Sequence, residues 1–144
     1  MQITKDKTTG ELENEIKACG SSDEYFIRNS DYLLKQGISE TLNEVLYKID
    51  MTISQVVKRS GLTRSHVYHI FSGKRMPSRD KLIAIAFGLG LNCDETNALL
   101  KKCRFAQLYS KDARDAVIIF GLTHGKDIDE TNNDLEKRNF ELLK

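Results

Sequence analysis

Apolar residues recur along this chain at helical spacing, and the pattern is sharpest between Ile53 and Phe71. Ile53, Val56 and Val57 fall at i, i+3 and i+4, and after a break Val67, Ile70 and Phe71 repeat the stripe. The pattern predicts a short helix, a tight turn at Gly61 and a second helix capped by Thr63. A glycine suits that turn because, without a Cβ, it takes a positive φ cheaply. Gly73 closes the second helix, and Pro77-Ser78 marks the start of another. Helices this short are not stable alone, so their apolar faces must pack on flanking helices.

The flanks supply such helices. Ser39 opens a stripe of Leu42, Val45, Leu46 and Ile49, and Leu82 to Leu89 is strongly apolar up to Gly90. Asn92 with Glu95 has the form of a capping box, opening a helix that holds Leu99, Leu100 and Cys103. Asp112 to Thr123 is the most apolar segment, with Ala113, Ala116, Val117 and Phe120 on the expected buried face and Ile118 and Ile119 nearby. A helix apolar nearly all round must be covered on more than one side, either as core or as a dimer seam. Gly125 stops it, and Asp127 to Phe140 reads as a final polar helix. Near the N-terminus, Met1 to Thr9 reads as loose. Leu12, Ile16 and Cys19 mark one amphipathic helix, and Ser21 with Glu24 caps another running through Tyr25, Phe26 and Ile27 toward Leu33. No segment alternates as a strand would, and none repeats. The fold class is all-α.

Subtracting the buried positions from Thr63 to Phe71 leaves Thr63, Arg64, Ser65, Tyr68 and His69 on the outside. These are hydrogen-bonding and amphipathic groups able to read base edges in a major groove. Basic residues bracket them, Lys58 and Arg59 before and Lys74, Arg75 and Arg79 after, which suits phosphate contacts that fix orientation. The plain alternative is a solvated helix face.

The run VVKRSGLTRSHVYHIFSGKRMPS, followed by a helix with Leu82, Ile85, Ala86 and Leu89, resembles the phage-repressor and Cro-like (xenobiotic-response-element-type) helix-turn-helix family. The resemblance covers roughly Glu40 to Leu100. It implies a compact domain of about five helices whose third enters the major groove. By that resemblance Arg64 and Ser65 begin the recognition helix and Tyr68 and His69 follow a turn later. The chain departs from the family at Ile53, where many members carry a Gln that supports the DNA contact; Ser54 and Gln55 are its polar neighbours. The implied organisation is an N-terminal helical extension at 1–38, a helix-turn-helix domain at 39–104 and a C-terminal helical extension at 105–144.

Composition sharpens this picture only when it is divided. The 144 residues carry a net charge of +1. Residues 1–51 carry −4, residues 52–81 carry +6 and residues 82–144 carry −1. Positive charge on one stretch of an otherwise neutral or acidic body is the footprint of a polyanion-binding face. Cys19, Cys93 and Cys103 are odd in number and widely spaced, which suits buried thiols in a reducing cytoplasm and neither a disulfide framework nor zinc. No apolar run approaches a membrane span and no signal-peptide pattern is present, so a soluble, cytoplasmic protein is expected, with no membrane partner. No Cys or carboxylate stands at ligand spacing around His66 and His69. Asp112 and Asp115 read as a capped, solvated helix start, beside Lys111 and Arg114, rather than as acid–base machinery. No metal, cofactor or enzymatic activity is expected.

Two functions fit. One is a sequence-specific transcriptional regulator, in sense a repressor, that binds double-stranded DNA as a homodimer. Its contact set is Ser54, Gln55, Arg59, Thr63, Arg64, Ser65, Tyr68, His69, Lys74 and Arg75. The other is a helix-turn-helix scaffold used as a protein–protein interaction module, with the terminal helices available to a protein partner.

Overall fold

The computed structural model describes residues 7–29 and 37–144, and the described residues are all-helical, with nine helices and no strand. They fall into two compact units, one within Met1–Lys35 and one within Gln36–Lys144. Leu33, toward which the second helix was expected to run, lies outside the described residues.

The first unit holds α1 (Thr9–Ala18) and α2 (Ser22–Arg28). Ser21 Oγ accepts from the Glu24 N–H at 3.2 Å, whereas the Glu24 carboxylate turns to the Gly20 N–H at 3.1 Å. Tyr25 is buried, while Ile16, Phe26 and Ile27 are exposed, Ile27 by 81%. Asn29 is buried between Lys7 Nζ and Glu15 Oε2, each at 2.8 Å. The hydrogen bonds from Lys7 and then Asn29 hold the Glu15 carboxyl below its ordinary value.

The second unit runs α3 (Ile38–Lys48), α4 (Ile53–Ser60), α5 (Arg64–Ser72), α6 (Arg79–Gly88), α7 (Cys93–Lys102), α8 (Ala113–Thr123) and α9 (Ile128–Lys137). Its centre is α6, in which every residue from Leu82 to Gly88 is buried. A helix without a polar face has to be wrapped. Packed around it are α4, α7 and α9, with α3 seated on α5 and α8 on α9. Gly88 sets how closely α4 approaches. A Cβ there would stand 3.0 Å from the Val56 carbonyl oxygen and 3.1 Å from Ser60 Cβ.

One core runs from Leu42 and Val56 through α6 to Ile118, Ile128, Leu135 and Leu143. The boundary expected near residue 104 therefore falls inside this core. Two expected faces turn out differently. On α8 the buried positions are Asp115, Val117, Ile118, Gly121 and Leu122, so Phe120 is left 48% exposed and Ala113 exposed. Phe120 instead stacks on His124 with centroids 4.0 Å apart. On α9, read as polar, Ile128, Thr131 and Leu135 form a buried stripe. Of the three free thiols only Cys103 is buried; Cys19 and Cys93 are half-buried. Burial raises the Cys93 and Cys103 pKa values above the ordinary thiol value. Among the described residues no helix is long and apolar enough to cross a membrane.

Candidate nucleic-acid interface

The α4–α5 pair is built by its caps. Thr52 Oγ1 accepts from the Gln55 N–H at 3.2 Å, and the Gln55 side-chain oxygen accepts from the Thr52 N–H at 2.9 Å. These two bonds satisfy helix-end donors that would otherwise be orphaned. Gly61 takes φ +73 and ends α4. Thr63 Oγ1 accepts from the His66 N–H at 3.3 Å and starts α5. Inside the turn the buried Ser60 hydroxyl donates to the Val57 carbonyl and accepts from the Leu62 N–H, each at 3.3 Å. At the other end of α5, the Asn43 side chain of α3 donates to the Phe71 carbonyl at 2.8 Å. That bond satisfies one of the last-turn acceptors, and the apolar pattern of α3 gave no sign of it.

With Val67, Ile70 and Phe71 buried, α5 turns Arg64, Ser65, Tyr68 and His69 outward. Three side chains meet there. Arg64 Nη1 donates to Ser54 Oγ at 3.2 Å, Ser54 Oγ lies 3.3 Å from the Tyr68 hydroxyl, and the guanidinium carbon sits 5.8 Å from the Tyr68 ring centroid. Lys74 and Arg75 are exposed just beyond Gly73. The Arg75 N–H donates to the His69 carbonyl at 3.2 Å, and Arg75 Nη1 lies 3.3 Å from His66 Nδ1. That contact needs the neutral tautomer with its proton on Nε2, since a guanidinium can only donate. Burial, followed by the charges of Lys81, Arg75 and His69, lowers the His66 pKa. Both effects favour that neutral form.

The remaining basic residues separate into different places. Arg59, at the C-terminal end of α4, stands beside Gly90 and lines a cleft of about 490 Å³ with Lys58, Phe87, Leu122, Lys126 and Asp127. It does not join the Ser54–Arg64–Tyr68 group. Arg79, expected among the phosphate contacts, is committed to the fold: it makes a bidentate pair with Asp115 at 3.0 and 3.2 Å and donates to the Ala106 and Gln107 carbonyls. Asp115 correspondingly departs from the expected solvated helix start. It is buried and also accepts from the Tyr109 N–H at 3.1 Å. Asp112 does cap α8, accepting from the Asp115 N–H at 2.9 Å. Ile53 is half-buried against the core, so the position where many family members carry Gln is an apolar packing position here.

Comparison with family models matches residues 44–95 to the helix-turn-helix family. No curated protein and no solved structure matches the chain. The match spans the last turn and a half of α3, all of α4 to α6 and the opening of α7, the segment in which the caps, the Gly61 turn and the outward face of α5 were found. Residues 44–95 are thus similar to the phage-repressor and Cro-like helix-turn-helix family, a family of DNA-binding domains that regulate transcription.

Proposed function

We propose that the protein is a sequence-specific repressor of transcription that acts in the cytoplasm as a homodimer, each copy placing α5 in a major groove. The observation that carries this reading is the split of α5 into a buried apolar face and an outward face of Arg64, Ser65, Tyr68 and His69. Arg64 donates to guanine O6 and N7, with Ser65, Tyr68 and His69 adding hydrogen bonds or apolar contact. Lys74, Arg75 and the N-termini of α4 and α5, where Gln55 and Thr63 stand, engage phosphates; Ser54 lies beside Arg64, and Arg59 contacts the backbone farther out. One helix contributes too little contact for selective binding, so two copies read half-sites about one helical turn apart.

The test is enrichment of bound sequences from random duplexes, repeated with Arg64→Ala. A palindromic motif is expected, and the variant should lose about 1–3 kcal/mol and blur one base pair in each half-site. An absence of any motif, with only weak salt-sensitive binding, would favour the interaction-module reading.

A further inference from the structure

We propose that Ser54 is a positioning residue for Arg64: its hydroxyl, with the Tyr68 ring, holds the guanidinium in one orientation, so that α4 as well as α5 determines which base is read. The inference rests on Arg64 being the base reader.

The geometry closes a small triangle between two helices. Ser54 sits in the first turn of α4, and Arg64 and Tyr68 sit one turn apart on α5. Arg64 Nη1 donates to Ser54 Oγ at 3.2 Å, Ser54 Oγ and Tyr68 Oη are 3.3 Å apart, and the guanidinium lies over the ring at 5.8 Å. That last distance is within the range of about 6 Å in which a ring face attracts a cation.

The chemistry of the hold matters. Residues 52–79 contain no carboxylate, so nothing on this stretch neutralises Arg64. Arg79 shows the contrast: paired with Asp115, its charge and four of its donor contacts are used inside the protein. A hydroxyl takes one N–H of the five on a guanidinium and leaves the charge intact, so an edge with two donors remains for guanine O6 and N7. A surface arginine otherwise samples many rotamers, and fixing it before contact removes part of the entropy that binding would cost. The neighbouring positions cannot do this. Ile53 has no polar atom, and the Gln55 oxygen is occupied by the Thr52 N–H.

The experiment uses the full chain with Ser54→Ala, Ser54→Thr and Arg64→Ala, titrated against the enriched duplex and its single-base variants at several salt concentrations. Ser54→Ala should reduce discrimination about tenfold, equivalent to about 1.4 kcal/mol, at the base pair that Arg64→Ala blurs. Other positions and the salt slope should stay as in the wild type, and Ser54→Thr should restore the preference. Without DNA, the ¹⁵N order of the Arg64 Nε–H group should fall in Ser54→Ala. An unchanged order would overturn the hold itself. A uniform loss of affinity for all sequences would make Ser54 a phosphate contact and overturn the proposal. Unaltered discrimination, where Arg64→Ala does blur a base, would show that Arg64 reads unaided. If Arg64→Ala blurs nothing, the reading of Arg64 as base reader fails first, and that variant alone reports it.

Discussion

His66 shows how one side chain on the outward helix can serve the fold instead of the ligand. Its Nε2 is buried without a hydrogen-bond partner among the described residues, and its Nδ1 faces Arg75 at 3.3 Å. Protonation would charge a half-buried ring and set it against the charges of Lys81, Arg75 and His69, which is why the pKa lies below the ordinary 6.5. The unfolded chain then takes up this proton at a higher pH than the folded protein does. The associated stability is complete above pH 6.5, declines as pH falls through that value, and stops declining below the lowered folded value. Denaturant midpoints measured at about pH 7.5 and about pH 5.5 should therefore fall further in the wild type than in His66→Gln. Parallel losses in the two proteins would show that His66 contributes nothing to the pH dependence.

At the scale of elements, the signals readable in the sequence were those with a local cause. Thr63, Ser78, Asn92 and Asp127 cap the helices that their positions announced, because a capping bond spans only three residues. Gly61 and Gly73 take positive φ at the ends of α4 and α5, as a turn residue must. What was not readable depended on partners distant in sequence. The face of α8 was misplaced because Ile118 and Leu122 pack into a core completed by α9, and a nearly all-apolar helix carries no periodicity to say which side is wetter. Asp115 looked solvated because Arg79, its partner, lies 36 residues away. The outward face of α5, by contrast, could be marked by subtraction, since α5 keeps a clear apolar stripe.

Gly88 is a long-range case of its own, a helix residue whose reason is the α4 backbone passing beside it. Gly88→Ala would gain helix propensity but force its methyl to 3.0 Å from the Val56 carbonyl and 3.2 Å from Val56 Cγ1. Overpacking of this kind costs about 1–3 kcal/mol, which outweighs the propensity gain of roughly 1 kcal/mol. Chemical denaturation should report a net destabilisation of about 1 kcal/mol. A stabilised variant would mean that α4 can move away freely, and that the α4–α5 geometry is set elsewhere.

On the scale of the second unit, the start of α6 is fastened to α8 by two reciprocal pairs. Arg79 grips Asp115, while Arg114 grips Asp80 at 2.9 and 3.0 Å and donates to the Glu141 carbonyl. The Asp80 hydrogen bond, followed by its charge, raises the Arg114 pKa. Adjacent residues of opposite charge on one helix thus bind their counterparts on the other, which fixes the direction in which α6 leaves the turn after Lys74 and Arg75. Removing one member leaves a charge that has lost its partner. Asp115 is the more costly orphan, being 9% exposed, whereas Arg79 at 25% retains some water. Breaking a buried pair costs about 3–5 kcal/mol, and partial exposure places Arg79→Ala near 3 kcal/mol.

The same geometry separates two kinds of basic residue that a count of charges merges. If Arg79 belongs to the fold and Lys74 to the DNA face, the two alanine variants must fail in different experiments. Arg79→Ala should lose about 3 kcal/mol of unfolding free energy, yet, assayed well below its melting temperature, keep the wild-type dependence of DNA affinity on salt. Lys74, exposed and on the far side of Gly73 from α5, should show the reverse. Its alanine variant should unfold within about 0.5 kcal/mol of the wild type and lower the salt slope by about one. A reduced salt slope in Arg79→Ala would return that residue to the phosphate contacts and leave the pair with Asp115 without a purely structural role.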